Sequence, residues 1–268
     1  MSQTAQPAHT AGQLIRYWRT RRRLSQLDCA LDADISQRHL SFIESGRSKP
    51  SRAMVERLAE MLDVPMRERN ALLVAAGYAP TYQVRDLDHP EMAAARRAIE
   101  LVLSGAEPYP ALVIDRHWTL VRANAAVERL LSGVTDPTLL EAPVNVLKLS
   151  LAPGGLAPQI ANLGDWAHHL FTRLKRQIQT TGDARLSALL TELATLVPPA
   201  EAHPADDAVD GLVVPLELDT PFGRLSFIST TTVFGTPLDV TLAELAIEMF
   251  FPADDMTAAL LRKAAQAS

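Results

Sequence analysis

The sequence predicts two domains in series, an all-α domain at the N-terminus followed by an α+β domain. Up to residue 79 the chain shows short, capped helical patterns, whereas the remainder contains two pairs of strand-like runs separated by helical patterns. Residues 1–79 hold 12 Lys and Arg against 8 Asp and Glu, a net charge of +4, and the remainder holds 14 against 23, a net charge of −9. A chain of 268 residues is long enough to bury a core in each domain.

The helical domain centres on residues 25–46, which read as two short helices joined by a tight turn. Ser25 and Ser36 are good N-cap residues, and Gly46 ends the second helix. Asp34 falls at the turn, where a left-handed backbone is usually needed; Gly is commonest there, and Asp tolerates this conformation better than most other residues. The inward-facing positions hold small and aliphatic residues, namely Cys29, Ala30, Ala33, Ile35, Leu40 and Ile43.

The second of these helices leads with polar residues that face outward. The outward positions are Gln37, Arg38, Ser41 and Phe42. Such a surface is typical of a helix-turn-helix DNA-binding unit, and Gln26 at the start of the first helix is placed to meet a phosphate. An ordinary helical hairpin explains each feature singly, but their agreement in one stretch favours DNA binding. For Arg21 to Arg23, contact with phosphate and a solvated helix end stay open as alternatives.

Residues 11–79 resemble the phage-repressor-like, five-helix DNA-binding domains of the XRE class of transcription regulators. The resemblance is carried by the segment RSKPSRAMVERLAEMLDV and by Ser25, Gln26, Ala30, Ala33, Ile35, Ser36, Leu40, Ile43, Glu44 and Gly46. It implies that Arg19 pairs with Glu44 across the domain. It also implies base contacts from Gln37, Arg38 and Phe42 and phosphate contacts from Gln26, Arg47 and Lys49, and Ser36 and Ser41 complete the expected DNA-binding set. Asp34 for the usual Gly and Cys29 for a larger aliphatic residue depart from the pattern without removing a DNA contact.

The remaining compositional features favour the cytoplasm as the compartment. No run of about 18 apolar residues predicts a membrane span, and MSQTAQPAHTAGQ lacks the basic start and apolar core of a signal peptide. A single cysteine, Cys29, excludes internal disulfides and Cys-based zinc sites, and its inward position makes it a core residue. We therefore expect a cytoplasmic protein that does not bind membranes, with residues 1–10 disordered.

The predicted boundaries put the helix-turn-helix domain at residues 11–79, a linker and connecting helix at 80–105, and the second domain at 106–268. The connecting helix is Ala-rich and amphipathic and ends at Gly105. Such a helix packs between domains, against a twin subunit, or over the core of the second domain. The sequence does not separate these alternatives.

The second domain opens with two predicted strands, Ala111–Ile114 and residues 119–122, joined by a turn at residues 115–117. Helices are then predicted at residues 124–133, 158–182 and 185–197, followed by strands at 211–220 and 224–235 around a turn at 221–223. The apolar residues Leu242, Leu245, Ile247, Met249 and Phe250 predict a last helix, capped by Asp239 or Thr241 and ended by Pro252. We expect this helix to pack in the core, with a dimer face as the alternative. This order of elements predicts an α+β sensor fold of the PAS type.

The second domain resembles the ligand-binding domain of the MmyB-like regulators, a PAS-like domain fused behind an XRE domain. The resemblance is carried by YPALVID, the pair Asn124-Ala125, APQIANLGDW and FGTPLDVTLAELAIEMFFPADDMT, so that the two resemblances cover nearly the whole chain. It implies a small hydrophobic ligand, fatty-acid-like in at least some members.

A pocket for such a ligand needs an apolar tunnel and one or two polar groups. The apolar candidates are Leu112, Ile114, Trp166, Leu170, Phe227 and Phe234, and the polar candidates are Arg122, Asn124, Asn162 and His168. For each apolar candidate, packing in the core is the competing interpretation. We do not expect a metal site at His168-His169, because adjacent residues on a helix point in different directions and no third ligand has suitable spacing.

The sequence contains none of the common catalytic motifs, including GxGxxG, a Walker loop, HExxH and GxSxG. We therefore expect no catalytic residues, no cofactor and no enzyme activity. The hypothesis is a transcription regulator that binds double-stranded DNA as a homodimer and responds to a small hydrophobic ligand. The alternative is a DNA-binding protein whose second domain docks a protein partner without a small-molecule ligand.

Overall fold

The computed structural model describes residues 9–197, 213–221 and 223–266, and its contacts divide the chain into two units. The first unit runs to Val84 and includes Leu238–Val240, and the second takes the rest. The segment 1–8, most of the predicted disordered N-terminus, and Phe222 in the predicted turn at 221–223 lie outside the described residues, as do residues 211–212 of a predicted strand.

The first unit is helical, with α1 Ala11–Arg21, α2 Gln26–Asp32, α3 Gln37–Glu44, α4 Arg52–Met61 and α5 Met66–Ala75. Four of these helices, α1 to α4, begin at a hydroxyl residue that accepts a backbone hydrogen bond, namely Thr10, Ser25, Ser36 and Ser51. The buried residues form one core that includes Ile15, Trp18, Cys29, Leu40, Ile43, Leu58 and Leu72.

Two backbone positions determine how the helices of the first unit meet. Asp34 has φ +53, so the left-handed turn predicted between α2 and α3 is confirmed. A Cβ atom on Gly12 would lie 2.2 Å from the carbonyl oxygen of Ile43, so only glycine lets α1 approach α3 this closely.

The second unit is an antiparallel sheet with helices on both faces. Its strands are β1 Ala111–Ile114, β2 Leu120–Ala123, β3 Leu216–Thr220, β4 Gly223–Val233 and β5 Ala246–Pro252, in the spatial order β2-β1-β5-β4-β3. Its longer helices are α6 Ala93–Ala106, α7 Ala125–Leu130, α8 Val146–Leu151, α9 Leu163–Thr181 and α10 Ala184–Leu196, and α11 Val240–Ala243 and α12 Asp255–Gln266 flank β5. Single 3₁₀ turns lie at Pro90–Met92, Leu131–Gly133, Pro137–Leu140 and Ala157–Gln159.

Alternating side chains give the sheet two buried faces. One face carries Phe227 and Phe250 and packs with Leu170 and Leu174 of α9 in the larger core. The opposite face packs with Ile99 and Leu103 of α6, so the connecting helix covers a sheet face of the second unit. A helical N-terminal region followed by this mixed domain confirms the predicted fold class.

The predicted helix through Leu242, Leu245, Ile247, Met249 and Phe250 is wrong. Only the short α11 is helical, and β5 then runs between β1 and β4 at the centre of the sheet. Ile247 packs on one face and Phe250 on the other, so the apolar run reflects a strand buried on both sides. The last helix in the described part of the chain is α12, which was not predicted from the sequence.

Candidate functional site

The first candidate surface is the exposed side of α3. Its N-cap is Ser36, whose hydroxyl accepts from the backbone N–H of His39 at 3.1 Å. Gln37 and Arg38 are exposed, whereas Leu40 and Ile43 are buried. The helix therefore presents a polar N-terminal turn outward, the part of a recognition helix that reaches base edges in a major groove.

Phe42 lies half-buried on the same side, and two arginine side chains lie over its ring. The guanidinium carbon of Arg38 lies 5.3 Å from the centre of the Phe42 ring, and that of Arg47 lies 5.9 Å away. Both distances allow cation–π attraction, which restrains long side chains that would otherwise move freely. Phe42, placed at the bases by resemblance, here also orients the two arginines predicted to contact DNA.

A buried network fixes the start of α2 against the end of α3. Arg19 donates to both carboxylate oxygens of Glu44, from Nε at 2.6 Å and from Nη2 at 3.1 Å. The predicted Arg19–Glu44 pair is therefore present, and the Glu44 hydrogen bond raises the pKa of Arg19 above its ordinary value. Gln26 donates its amide to the same Glu44 at 2.8 Å. Since an amide nitrogen carries two hydrogens, the tethered Gln26 keeps one for a phosphate oxygen.

The remaining basic residues of the first unit differ in their roles. Lys49 is exposed and its Nζ lies 5.4 Å from the centre of the Tyr78 ring. Arg22 donates from Nε to the carbonyl of Leu62 at 2.8 Å, which ties the end of α1 to the end of α4. Arg22 thus has a structural role, which is neither of the two alternatives given for the basic cluster, and phosphate contact from this cluster stays a prediction.

The second candidate site is a cavity of about 100 Å³ between the sheet and the helices of the second unit. Its lining is almost entirely apolar and comes from all five strands and from α7, α8 and α9. The residues are Pro110, Leu112, Trp118, Leu120, Val127, Leu130, Leu131, Val146, Leu147, Leu149, Ser150, Leu156, Trp166, Leu170, Arg173, Leu216, Leu218, Phe227, Glu248 and Phe250. An apolar cavity with a few polar groups is the usual form of a small-molecule site.

The charged part of the lining is an ion pair between α9 and the central strand β5. Arg173 donates to both oxygens of Glu248, from Nη2 at 2.7 Å and from Nη1 at 3.2 Å. Thr231 on β4 donates its hydroxyl to Glu248 at 2.9 Å and accepts from Arg173 at 3.0 Å. Glu248 is only 3% exposed, so this acid is compensated by its neighbours rather than by water.

Trp118 lies over this ion pair. Its ring centre is 4.9 Å from the guanidinium carbon of Arg173, and its indole nitrogen donates to Gln177 at 2.8 Å. The Trp118 backbone is left-handed, with φ +65, an uncommon conformation for a bulky residue. The preceding turn holds it there, because the carboxylate of Asp115 accepts from the backbone N–H groups of His117 and Thr119 at 2.8 Å each.

A second tryptophan closes another part of the cavity. Trp166 donates its indole N–H to the hydroxyl of Ser150 at 3.1 Å, so this polar edge is satisfied inside the apolar lining. His169 stacks on the Trp166 ring with 5.4 Å between ring centres. Burial lowers the pKa of His169 below its ordinary value, and the charge of Arg173 lowers that pKa further, so both effects favour the uncharged imidazole.

Four of the predicted ligand residues, Leu112, Trp166, Leu170 and Phe227, line the cavity. The structure does not bring the other two apolar candidates there. Ile114 packs in the larger core away from the lining, and Phe234 packs with the cluster on the opposite face of the sheet.

The predicted polar anchors also lie away from the cavity, because each has a different function in the fold. Asn124 donates to the carbonyls of Tyr109 and Leu103 and caps α7. Asn162 holds the edge strand β3 by donating to the carbonyl of Pro215 at 2.8 Å. Arg122 pairs with Asp88 at 3.0 Å on the surface, and His168 is exposed. In the structure these four residues therefore occupy structural or surface positions and do not line this cavity.

Sequence reasoning missed the two ionisable residues of the cavity, Arg173 and Glu248. Two signals were available: Glu248 is a single acid inside the apolar run AIEMFF, and Arg173 follows Trp166 and Leu170 at the i, i+4, i+7 spacing of one helix face. The assignment of β5 as a helix hid the first signal, because the cross-strand neighbours of Glu248 were then unknown.

Within residues 9–197, 213–221 and 223–266, no group of three His, Cys, Asp or Glu side chains is arranged to hold a metal ion. In the same part of the chain, no helix combines the length and apolar character needed to cross a bilayer. Burial raises the pKa of the Cys29 thiol to about 11, so this cysteine stays protonated and unreactive near neutral pH.

The chain matches two families of known domains. Residues 95–264 match the MmyB-like transcription regulator ligand binding domain, and residues 15–69 match the helix-turn-helix family. No curated protein is significantly similar to the chain. A solved structure described as an RNA-binding Light-Oxygen-Voltage Receptor aligns with 97% of this chain at 13% identity and a TM-score of 0.27, and the chain spans 65% of that receptor. A likeness this weak carries no argument about the present chain.

Proposed function

The chain belongs to the MmyB-like transcription regulators, and on that premise we propose that it binds operator DNA as a homodimer under the control of a small apolar, fatty-acid-like ligand. DNA binding and a ligand-binding domain follow from the two family matches. The finer parts, namely the ligand class, the dimer and the contacting residues, are the proposal. Both families consist of regulator domains, which argues against enzyme activity.

The main support for a small apolar ligand is the apolar cavity within the region that matches the ligand-binding family. Its volume of about 100 Å³ is below that of the cavity of about 150 Å³ that holds benzene, and well below the 300 Å³ or more of drug-sized sites. A ligand with a longer acyl chain therefore has to displace lining side chains. That displacement gives the ligand a physical means of shifting the protein between conformations.

The DNA part rests on α3 and its supports. Gln37 and Arg38 are the proposed base-reading residues, adenine for Gln37 and guanine for Arg38, with Ser36, Ser41 and Phe42 beside them. Gln26, Arg47 and Lys49 are the proposed phosphate contacts. Two subunits would present two such helices to half-sites about 34–36 Å apart, which gives a near-palindromic operator.

Footprinting on an operator selected from random DNA tests the base-reading residues. We expect the affinity of the variant Q37A/R38A for the operator, measured by the footprint, to fall roughly 100-fold or more, because each good base contact is worth about 1–3 kcal/mol. The matched control is R262A/Q266A, which removes the same two side-chain types from exposed positions on α12. An unchanged footprint for Q37A/R38A would contradict the assignment of α3.

Native mass spectrometry of the purified protein, followed by denaturation and identification of anything released, tests the ligand part. A fatty acid or related lipid at defined stoichiometry supports the proposal and supplies an effector for titration against DNA. An empty protein whose DNA binding responds to no lipid would favour the alternative, in which the second domain docks a protein partner.

A further inference from the structure

Arg173 is the one cation of the cavity lining in the described part of the chain, and Glu248 is the one anion. The Glu248 carboxylate already has its partners, since it accepts two hydrogen bonds from Arg173, at 2.7 and 3.2 Å, and one from Thr231 at 2.9 Å. An anionic head group on a ligand therefore has one counter-charge in this lining, the guanidinium of Arg173.

The guanidinium of Arg173 has N–H donors that the protein does not use. Of the five N–H groups of an arginine, two donate to Glu248 and one donates to Thr231 at 3.0 Å. The Nε–H and the second N–H of Nη1 have no hydrogen-bond partner among the residues that the structure describes. Nε is also not one of the buried polar atoms that lack a partner in this part of the chain, so a ligand atom can reach it. A carboxylate oxygen can therefore accept from Arg173 while Glu248 keeps both of its bonds.

The contacts of Arg173 hold its guanidinium in one position. Glu248 binds its end, Thr231 accepts from Nη2, and the Trp118 ring centre lies 4.9 Å from the guanidinium carbon. A side chain that is already ordered loses little conformational freedom when a ligand binds to it. Hydrogen bonds between a guanidinium and a carboxylate are also about twice as strong as those between neutral groups.

The negative charge of Glu248 opposes an anionic ligand, but this opposition is small beside the alternatives in the cavity. The bidentate contact with Arg173 compensates Glu248, and the Arg173 side chain is 26% exposed, so the ion pair keeps some contact with water. Elsewhere the lining is almost entirely apolar, and a buried charge there would lose its water and gain no partner. The free N–H groups of Arg173 are therefore the favourable place for an ionised head group, with the apolar chain against the leucine and aromatic side chains.

We propose that Arg173 binds the carboxylate of the ligand through its free N–H groups, and that the cavity consequently prefers an ionised alkanoate over an alcohol with the same chain. Glu248 and Thr231 are positioning residues that hold the guanidinium in place. This inference rests on the proposed function, which puts a fatty-acid-like ligand in this cavity, and it adds the residue that recognises the head group.

Calorimetric titration of the full-length protein with octanoate and with 1-octanol tests the selectivity at pH 8, where the acid is ionised. We expect octanoate to bind roughly tenfold more tightly or better, because it gains a charge-assisted hydrogen bond that the alcohol cannot accept as strongly. Equal or tighter binding of 1-octanol would overturn the inference while leaving an apolar ligand in the cavity. Binding of neither probe to protein that native mass spectrometry shows to be empty would contradict the proposed function itself.

Two variants separate the roles of the ion pair. R173Q/E248Q removes both charges without leaving either one unpaired, and we expect its preference for octanoate to disappear while 1-octanol binds as before. E248Q keeps Arg173 and removes the opposing charge, so its preference for octanoate should be at least that of the natural sequence. A preference that survives in folded R173Q/E248Q, or that disappears in folded E248Q, would overturn the assignment of Arg173. Should the variants not fold, the titrations of the natural sequence decide the selectivity.

The matched control is D219N/R224Q. Asp219 and Arg224 form a similar bidentate pair, at 2.8 and 3.0 Å, but outside the cavity and with both side chains more than half exposed. This variant also removes one arginine and one acid, so the net charge of the protein does not change in either double variant. We expect D219N/R224Q to keep the full preference for octanoate, and a loss as large as that in R173Q/E248Q would show that the cavity pair does not determine it.

Discussion

Asp34 holds the turn between α2 and α3 in a left-handed backbone that costs most residues roughly 1–2 kcal/mol. Glycine adopts the same backbone without that penalty, although it gains more freedom in the unfolded chain. We therefore expect D34G to stabilise the first unit by about 0.5–1 kcal/mol and D34A to destabilise it by about the same amount.

Hydrogen exchange of the full-length protein, followed by mass spectrometry of peptides from α2 and α3, measures both effects locally. Exchange of the second unit should not change and serves as the internal control. A lower stability for D34G than for the natural sequence would show that the Asp34 side chain stabilises the turn in a way that the backbone angle does not capture.

The Arg19–Glu44 pair is a buried contact whose two members depend on each other. Truncating Glu44 in E44A leaves Arg19 buried without its partner and frees the Gln26 amide, so we expect a loss of about 3–5 kcal/mol in unfolding free energy. Replacing both members by apolar residues, as in R19M/E44L, should recover most of this loss. Chemical denaturation of the natural sequence, R19M, E44L and R19M/E44L completes a double-mutant cycle and measures the coupling, and additive effects would contradict a direct interaction.

Among the elements, the helices of the first unit were predictable because their caps and spacing act locally. Ser25, Ser36 and Gly46 mark helix ends through contacts within a few residues, which a sequence displays directly. β5 was not predictable in this way, since a short apolar run fits a buried helix and a buried strand equally well. Its identity depends on pairing with β1 and β4, which lie far away in the chain.

The difficulty of predicting contacts between distant parts of the chain also explains which candidate ligand residues lie in the cavity and which do not. Leu112, Trp166, Leu170 and Phe227 were found because large apolar residues on predicted elements tend to face the interior. Arg173 and Glu248 were missed because their pairing joins α9 to a strand 75 residues further along the chain. The polar residues chosen instead, such as Asn124, satisfy backbone groups nearby, a use that polar side chains in loops commonly have.

The end of β5 illustrates how one carboxylate starts the next element. Asp254 accepts from the backbone N–H of Thr257 at 2.6 Å, and this hydrogen bond holds the pKa of Asp254 below its ordinary value. A depressed folded-state pKa means that the stabilisation is present above the unfolded pKa of about 3.9 and is lost as the pH falls through the lower folded value.

We therefore expect D254A to destabilise α12 at pH 7, with the difference from the natural sequence shrinking as the pH falls below about 3.9. D254N keeps an acceptor at the cap and should retain part of the stability without this pH dependence. Hydrogen exchange of α12 peptides at pH 7 and pH 3 measures both variants. A difference between D254A and the natural sequence that is equal at the two pH values would contradict a charged cap.

At the scale of the whole molecule, each unit has its own hydrophobic core, and the N-terminal and C-terminal parts of the chain carry opposite net charges. The first unit buries its own helical core, and the second buries clusters on both faces of its sheet. The chain up to residue 79 carries a net charge of +4 and the remainder −9. Attraction to DNA phosphates is thereby concentrated in the helix-turn-helix, and the acidic remainder disfavours non-specific contact with the same polyanion.

The proposed homodimer makes a geometric prediction about the operator. Two α3 helices related by a two-fold axis read half-sites whose centres are separated by about one helical turn, roughly 10–10.5 base pairs. Inserting 5 base pairs between the half-sites turns one of them by about 180° away from its helix, so only one subunit can bind specifically. We expect this insertion to reduce the affinity at least 100-fold, since each half-site contributes several base contacts of about 1–3 kcal/mol.

Fluorescence anisotropy on the selected operator, at one fixed salt concentration because phosphate contacts make affinity salt-dependent, measures the change. The control inserts the same 5 base pairs outside the half-sites and should leave the affinity unchanged. Equal affinities for the two insertions would mean that a single subunit reads the operator. In that case the ligand would have to act within one chain and not through the arrangement of two, because subunit spacing would no longer determine which DNA is bound.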